Sequence, residues 1–362
     1  MQQSRAERLA ANMGDDLDAV VIMNATEPFL DSTYWYLIED ASGCYESSRA
    51  VVTRDGELHT FVNILEEEGA KACKGNVHVY HTDKERREQM AEVLKGARKI
   101  GVNYPMAAYG SVEWMKSFID AEIVDASAVI SKTIAVKDDR EIAEIQKACD
   151  ITSRVARELP DIIAEGLTER EVASEMDMRM LRYGGQGNAF DTIAAFGANT
   201  SMPHYMPGDC KLKQGDAALF DFGSKHGMYC SDLTRTIFLG EPPDILRRAY
   251  EVVRQAQEAG IACIRAGVKA CDPDLAARKI IDESEFKGLF IHSFGHGIGM
   301  NVHEPIGLYP RSEQVLEAGN VVSAEPGVYI PGVGGIRIED SILVTEDGCR
   351  VLTSYDHGLT VV

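Results

Sequence analysis

Between Ile291 and Asp340 the chain sets ionisable side chains inside short, apolar, glycine-rich runs, a pattern that few folds can accommodate. Three of the nine histidines (His292, His296 and His303) fall within twelve residues, followed by Glu325 and the pair Glu339-Asp340. His296 stands in Phe294-Gly295-His296-Gly297-Ile298-Gly299, Glu325 in Ala324-Glu325-Pro326-Gly327, and Glu339 in Gly335-Ile336-Arg337-Ile338-Glu339-Asp340. A buried charge without a partner is prohibitively costly among β-forming residues, and a bound cation removes that objection.

Two hairpins sharpen the expectation. Residues 217–223 and 229–238 read as strands joined near His226-Gly227. If that dipeptide is the turn, Lys225 pairs with Met228 and Asp221 lies directly opposite Asp232, with Cβ atoms about 5 Å apart on one face. Residues 321–325 and 336–339 flank a loop at 331–335, and counting outward from Gly332 sets Glu325 opposite Glu339. Like charges so placed repel unless a proton or cation lies between them, and aspartate is a poor strand former. Two aspartates, two glutamates and one imidazole suit two adjacent divalent ions of the Mn, Co or Zn type. A glycosidase pair needs no histidine, and the twelve-residue acidic loop of an EF-hand is absent.

The remainder of the chain frames this cluster. At 362 residues it is long enough for two domains. Residues 1–130 alternate strand runs (19–23, 50–53, 58–62, 77–80 and 99–102) with helical patterns at 84–95 and 107–119, the signature of an α/β domain. Asp55-Gly56 marks a hairpin between two of those runs. From about residue 131 the pattern changes: Asp138 with Glu141, and Thr168 with Glu171, form capping boxes opening helices to about Leu159 and Tyr183. Asp272-Pro273 reads as an N-cap and first helical residue, and a further helical pattern covers 244–265. The loop at 197–205 presents His204 beside Pro203. Lys plus Arg number 37 against 57 Asp plus Glu, a net charge of −20, which argues against a broad grip on nucleic acid or anionic membrane. The segment Met1–Glu7 carries no apolar run of signal length, and the eight cysteines show no C-x-x-C pair, so a cytoplasmic protein with reduced thiols is expected.

The motifs Pro203-His204-Tyr205, Asp221-Phe222-Gly223, Ser231-Asp232-Leu233-Thr234-Arg235-Thr236, Gly295-His296-Gly297-Ile298-Gly299, Val302-His303-Glu304, Glu325-Pro326-Gly327 and Arg337-Ile338-Glu339-Asp340 occur in one order. Together they resemble the pita-bread metallopeptidases, the family of Xaa-Pro dipeptidase (prolidase), aminopeptidase P and methionine aminopeptidase. The resemblance implies an α/β (α+β) chain: a creatinase/prolidase-like α/β domain at 1–130, then a pita-bread catalytic domain at 131–362, a curved antiparallel sheet backed by helices. It implies two divalent ions per subunit, Mn or Co with Zn as an alternative. Asp221 would bind one ion, Asp232 and Glu339 would bridge both, and His296 and Glu325 would complete the second. Four residues earlier, His292 competes for the ligand role; the Gly-His position favours His296 and leaves His292 a supporting or packing role. Glu325 would also shuttle the proton, His204 and His303 would meet the substrate and the developing oxyanion, and Arg337 would steady the bridging carboxylates. The implied substrates are short peptides with proline second, cleaved by a homodimer, a dipeptide being favoured. No arginine follows His303-Glu304-Pro305-Ile306-Gly307 before Arg311, which keeps open aminopeptidase P action on longer peptides. A metal-free creatinase-like hydrolase or a non-catalytic binding protein on this scaffold should have lost ligands, and all five are present.

Overall fold

The computed structural model describes residues 3–40 and 42–362. Met1 and Gln2 of the amino-terminal segment read above lie outside the described residues. The chain divides into two compact units, 1–134 and 135–362.

The first unit holds β1 (Ala19–Met23), β2 (Arg49–Thr53), β3 (Leu58–Asn63), β4 (Asn76–Tyr80), β5 (Lys99–Val102) and β6 (Glu122–Asp125). They form one sheet in the order β4-β3-β2-β1-β5-β6, antiparallel at β1–β2 and β2–β3 and parallel elsewhere. Every residue of β1 is buried, as a central strand of apolar residues requires. Gly56, at φ 86°, supplies the positive φ of the β2–β3 turn. The helices are α1 (Arg5–Met13), α2 (Ser32–Ile38), α3 (Glu67–Ala70), α4 (Asp83–Val93), α5 (Tyr109–Lys116) and α6 (Ser127–Ala135). Met90 of α4 and Met115 of α5 pack with Val21, Val51 and Phe61 of the sheet.

The second unit is built from four helices and antiparallel sheets. Its helices are α7 (Asp139–Ile162), α8 (Glu169–Arg182), α9 (Asp244–Ile261) and α10 (Cys271–Asp282). Both capping boxes form, Asp138 with Glu141 on α7 and Thr168 with Glu171 on α8. α7 runs past Leu159 with Pro160 in its last turn. α10 starts earlier than Asp272-Pro273 implies, at Cys271 after Ala270, because a proline is tolerated throughout a first turn whose N–H groups lack partners.

The strands are β7 (Ile193–Phe196), β8 (Ala217–Phe222), β9 (Lys225–His226), β10 (Tyr229–Cys230), β11 (Leu233–Phe238), β12 (Gly295–Gly297), β13 (Glu304–Leu308), β14 (Val321–Ala324), β15 (Gly327–Ile330), β16 (Gly334–Arg337), β17 (Asp340–Val344) and β18 (Cys349–Val351). They pair as β11-β8-β7, β13-β12-β14-β17-β18, β10-β9 and β15-β16. Two half-cores follow. Val155 and Leu159 of α7 and Met176 of α8 pack on Phe220, Phe222 and Ile237, while Val253 of α9 and Ile281 of α10 pack on Val322, Ile336 and Ile342. The strand faces turned away from these helices are free to carry polar groups.

The first hairpin departs from the expected register. His226 pairs with Tyr229 and Asp221 with Thr234, so Asp221 is not directly opposite Asp232. The turn is Gly227-Met228, with φ of 54° and 73°, one residue later than His226-Gly227. Moving a turn by one residue moves each partner by two. Because strand side chains alternate with period two, Asp232 stays on the face of Thr234 and Asp221 as a diagonal neighbour. In the second hairpin the register counted from Gly332 is the one found, Gly327 with Arg337 and Ile330 with Gly334. The same register continues in β14–β17, where Ala324 pairs with Asp340. Glu325 and Glu339 sit in the break between these two ladders, their N–H groups donating instead to Phe294 and Thr234 carbonyls.

Candidate metal centre

A cavity of about 370 Å³ opens over this break, and all eight candidate residues line it: His204, Asp221, Asp232, His296, His303, Glu325, Arg337 and Glu339. Phe190, Ile193, Pro203 and Val302 give it an apolar wall. Asp221 comes from the paired end of β8, whereas Asp232, Glu325 and Glu339 directly flank β11, β14 and β17.

Ligand atoms of Asp232, His296 and Glu339 all lie within 4.8 Å of one another. Asp221 gives one oxygen to Arg337 Nη2, and Glu325 Oε1 lies 3.2 Å from His296 Nε2. The other Asp221 oxygen (Oδ1), together with Asp232 Oδ1 and Glu339 Oε1, is buried without a hydrogen-bond partner. Three orphaned carboxylate oxygens in one cavity are costly, and a divalent cation satisfies all three. The residues therefore fit a metal. The His296 ring is prepared for it as well: Nδ1 is 3.1 Å from the Gly297 carbonyl, which leaves Nε2 facing Asp232 Oδ2 at 3.6 Å. Gly295 precedes it because β14 runs so close that a Cβ there would meet the Ser323 carbonyl oxygen at 2.1 Å.

Supporting contacts hold the carboxylates in place. Thr234 Oγ1 donates to Glu339 Oε2 at 2.5 Å and accepts from Arg337 Nε at 3.1 Å. Arg337 Nη1 donates to Tyr329 Oη at 2.8 Å, and Tyr329 Oη lies 2.9 Å from His292 Nε2. His292 thus serves the Tyr329–Arg337 chain, while His303 stands edge-on to His296 with ring centres 4.2 Å apart. Ser323 Oγ accepts from His296 N–H at 2.9 Å and donates to Glu325 at 3.0 Å. Thr234, Ser323 and Tyr329 escaped the sequence reading. The first two had a signal, a hydroxyl alternating with Asp232 or lodged in an apolar strand, whereas Tyr329 had none beyond its place opposite Gly335 in the hairpin.

Burial, and then the charges of Glu339, Asp221 and Glu325, push the Asp232 carboxyl well above its ordinary value; burial and the charges of Glu325 and Asp221 do the same to Glu339. Burial also raises Asp221. Burial pushes Glu325 upward too, but the hydrogen bond and charge of His296 outweigh it and bring Glu325 to about 2. In the metal-free folded protein Asp232 and Glu339 therefore keep protons that the unfolded chain has already lost. The stability contributed by these two carboxyls falls as pH rises from the ordinary carboxyl range through the raised values. A cation needs the charged forms and expels those protons. The rise in Tm on loading chelated protein with Mn²⁺ is expected to be larger at about pH 8 than at about pH 5. A rise independent of pH would show that these carboxyls are not the ones that bind.

The model of metallopeptidase family M24 matches residues 143–346, wholly within the second unit. The Xaa-Pro dipeptidase of Pyrococcus furiosus is 37% identical over 273 residues, 75% of this chain and 78% of that protein. Among solved structures, an Xaa-Pro dipeptidase from Bacillus anthracis superposes with TM-score 0.92 at 31% identity, covering 99% of both chains. An X-Pro aminopeptidase from Thermotoga maritima superposes with TM-score 0.90 at 30% identity, over 99% of this chain and 100% of that one. The architecture is that of the pita-bread peptidases, with a mixed α/β unit ahead of the one that the family model matches, and with these carboxylates in its cavity the chain belongs to metallopeptidase family M24.

Proposed function

We propose that the protein is a dinuclear metal-dependent Xaa-Pro dipeptidase whose ions, Mn or Co, are held by Asp221, Asp232, His296, Glu325 and Glu339. The three orphaned, buried carboxylate oxygens in one cavity carry this reading, and the likeness to Xaa-Pro dipeptidases supports the substrate. Asp232 and Glu339 would serve both ions, Asp221 one, and His296 with Glu325 the other. The ions, when bound, lower the pKa of water and polarise a carbonyl. Glu325, whose Oε1 lies 3.2 Å from His296 Nε2, would carry a proton from attacking water to the departing proline nitrogen. His303 and His204 line the same cavity and would meet the peptide and the oxygen of its scissile carbonyl. Arg337 keeps Asp221 oriented through Nη2 and Thr234 through Nε. The proline imide has no N–H to satisfy, so its ring asks only for an apolar wall, which Phe190, Ile193 and Val302 offer. The same reading takes residues 1–130 as an accessory domain and, through the family resemblance, the working form as a cytoplasmic homodimer.

One observation favours aminopeptidase P action instead. Among the described residues lining the cavity, Arg337 is the only guanidinium, and it is engaged with Asp221, Thr234 and Tyr329. No arginine there is left for the carboxylate of a dipeptide. Comparing kcat/KM for Ala-Pro and Ala-Pro-Ala under Mn²⁺ decides between them. A site that pairs the proline carboxylate should disfavour the tripeptide by about 1.5–3 kcal/mol, the scale of a charge-assisted hydrogen bond. Faster cleavage of the tripeptide would assign the protein to the aminopeptidase branch.

A further inference from the structure

We infer that Glu169, which does not line the cavity, is the positioning residue for His204. The inference rests on the reading that His204 meets the substrate. Glu169 is the first residue of α8 and is fully buried, at 0% exposure. Its Oε1 accepts from Phe196 N–H at 2.9 Å and from Asn199 Nδ2 at 2.9 Å; its Oε2 accepts from Tyr205 Oη at 2.8 Å and from Gly208 N–H at 3.0 Å. None of these four donors is a cation. A buried carboxylate persists without a counter-ion only when its lone pairs are this fully used.

The donors bracket one segment. Phe196 ends β7, Asn199 lies in the short turn Gly197–Ser201, Tyr205 directly follows His204, and Gly208 closes the loop. Asn199 Nδ2 also reaches Tyr205 Oη at 2.9 Å, so the two side chains are tied to each other as well as to Glu169. His204 itself is exposed at the cavity mouth, and its place is set by its backbone neighbours. The carboxylate is not needed to start the helix, because α8 carries its own capping box in Thr168 and Glu171. What Glu169 adds is a single point to which the start, middle and end of the His204 loop are bound.

Glutamine at this position keeps the volume but replaces one acceptor by an amide N–H₂ that must face two donors. In the metal-loaded enzyme, Glu169→Gln is expected to lower kcat/KM on the preferred proline peptide about 10- to 100-fold, the scale of a small misplacement near the chemistry, with bound metal unchanged. A structural role elsewhere would lower activity whether or not His204 is present, so the deciding readout is a double-mutant cycle. In the His204→Ala background, Glu169→Gln should change kcat/KM less than about 2-fold. Tyr205→Phe, which removes only one donor, should show a smaller loss with the same dependence on His204, and it carries the test if Glu169→Gln does not fold. An equal loss in both backgrounds, or loss of metal along with activity, would overturn the role of Glu169 alone. A fully active His204→Ala would overturn the role given to His204 and this one with it, and a wild type inactive on both proline peptides would overturn the proposed function.

Discussion

Alanine at Asp232 or at Glu339 is expected to leave the protein with neither metal ion, and turnover should fall to background. Each carboxylate has one oxygen engaged or facing a ligand and a second that is buried without a partner, and in the proposed function each would serve both ions. Losing both ions forfeits several kcal/mol of transition-state charge stabilisation, about 10³-fold or more at 1.36 kcal/mol per decade. His296→Ala should instead empty one site preferentially, because an imidazole gives one nitrogen to one ion. His303→Ala should keep both ions and lose turnover, since the ring lines the cavity edge-on beside His296 and outside the proposed ligand set. Elemental analysis after Mn²⁺ loading separates these outcomes. Equal metal loss in the Asp232, Glu339 and His296 variants would reject the division into shared and single ligands.

Lys137→Met is expected to destabilise the second unit by about 3–5 kcal/mol, the usual cost of removing one partner from a buried ion pair. Lys137 Nζ lies 2.5 Å from Glu304 Oε2, with side-chain exposures of 1% and 3%. The other carboxylate oxygen accepts from Met300 N–H at 3.0 Å. The pair is packed so closely that a Cβ on Gly299 would meet Glu304 Oε1 at 2.0 Å. Without Lys137 the buried Glu304 side chain loses its counter-ion and keeps only the Met300 N–H. The double variant Lys137→Met/Glu304→Met should recover much of the loss, because a hydrophobic replacement of the whole pair is often close to neutral. Urea unfolding of the metal-loaded proteins measures both; a loss below about 1 kcal/mol for the single variant would mean that water reaches the carboxylate. Glu304 follows His303 directly, so the single variant should also weaken substrate binding.

What could be read from the sequence was local. The capping boxes of α7 and α8 were legible because their partners are three residues apart. The opposition of Glu325 and Glu339 was legible because glycines at 332, 334 and 335 fix the turn from which the register is counted. The other hairpin was misregistered because Met228 adopts φ 73°, a conformation that a methionine does not announce. Asp221 and Asp232 still line one cavity, since a shift of two residues keeps a side chain on its face. The Lys137–Glu304 pair, 167 residues apart in sequence, and the four donors gathered by Glu169 could not be seen. Such contacts are created by tertiary packing, and a lone Lys or Glu in a polar context reads as solvated.

The most direct test is a titration of chelated, metal-free protein with Mn²⁺, following peptide cleavage on Ala-Pro and Ala-Pro-Ala against equivalents bound. Orphaned carboxylate oxygens that exist to hold catalytic ions predict no cleavage without metal and activity that rises and levels off at two bound equivalents per chain. Cleavage that persists in the metal-free protein, or a loaded protein that binds fewer than one equivalent, would contradict a dinuclear metallopeptidase.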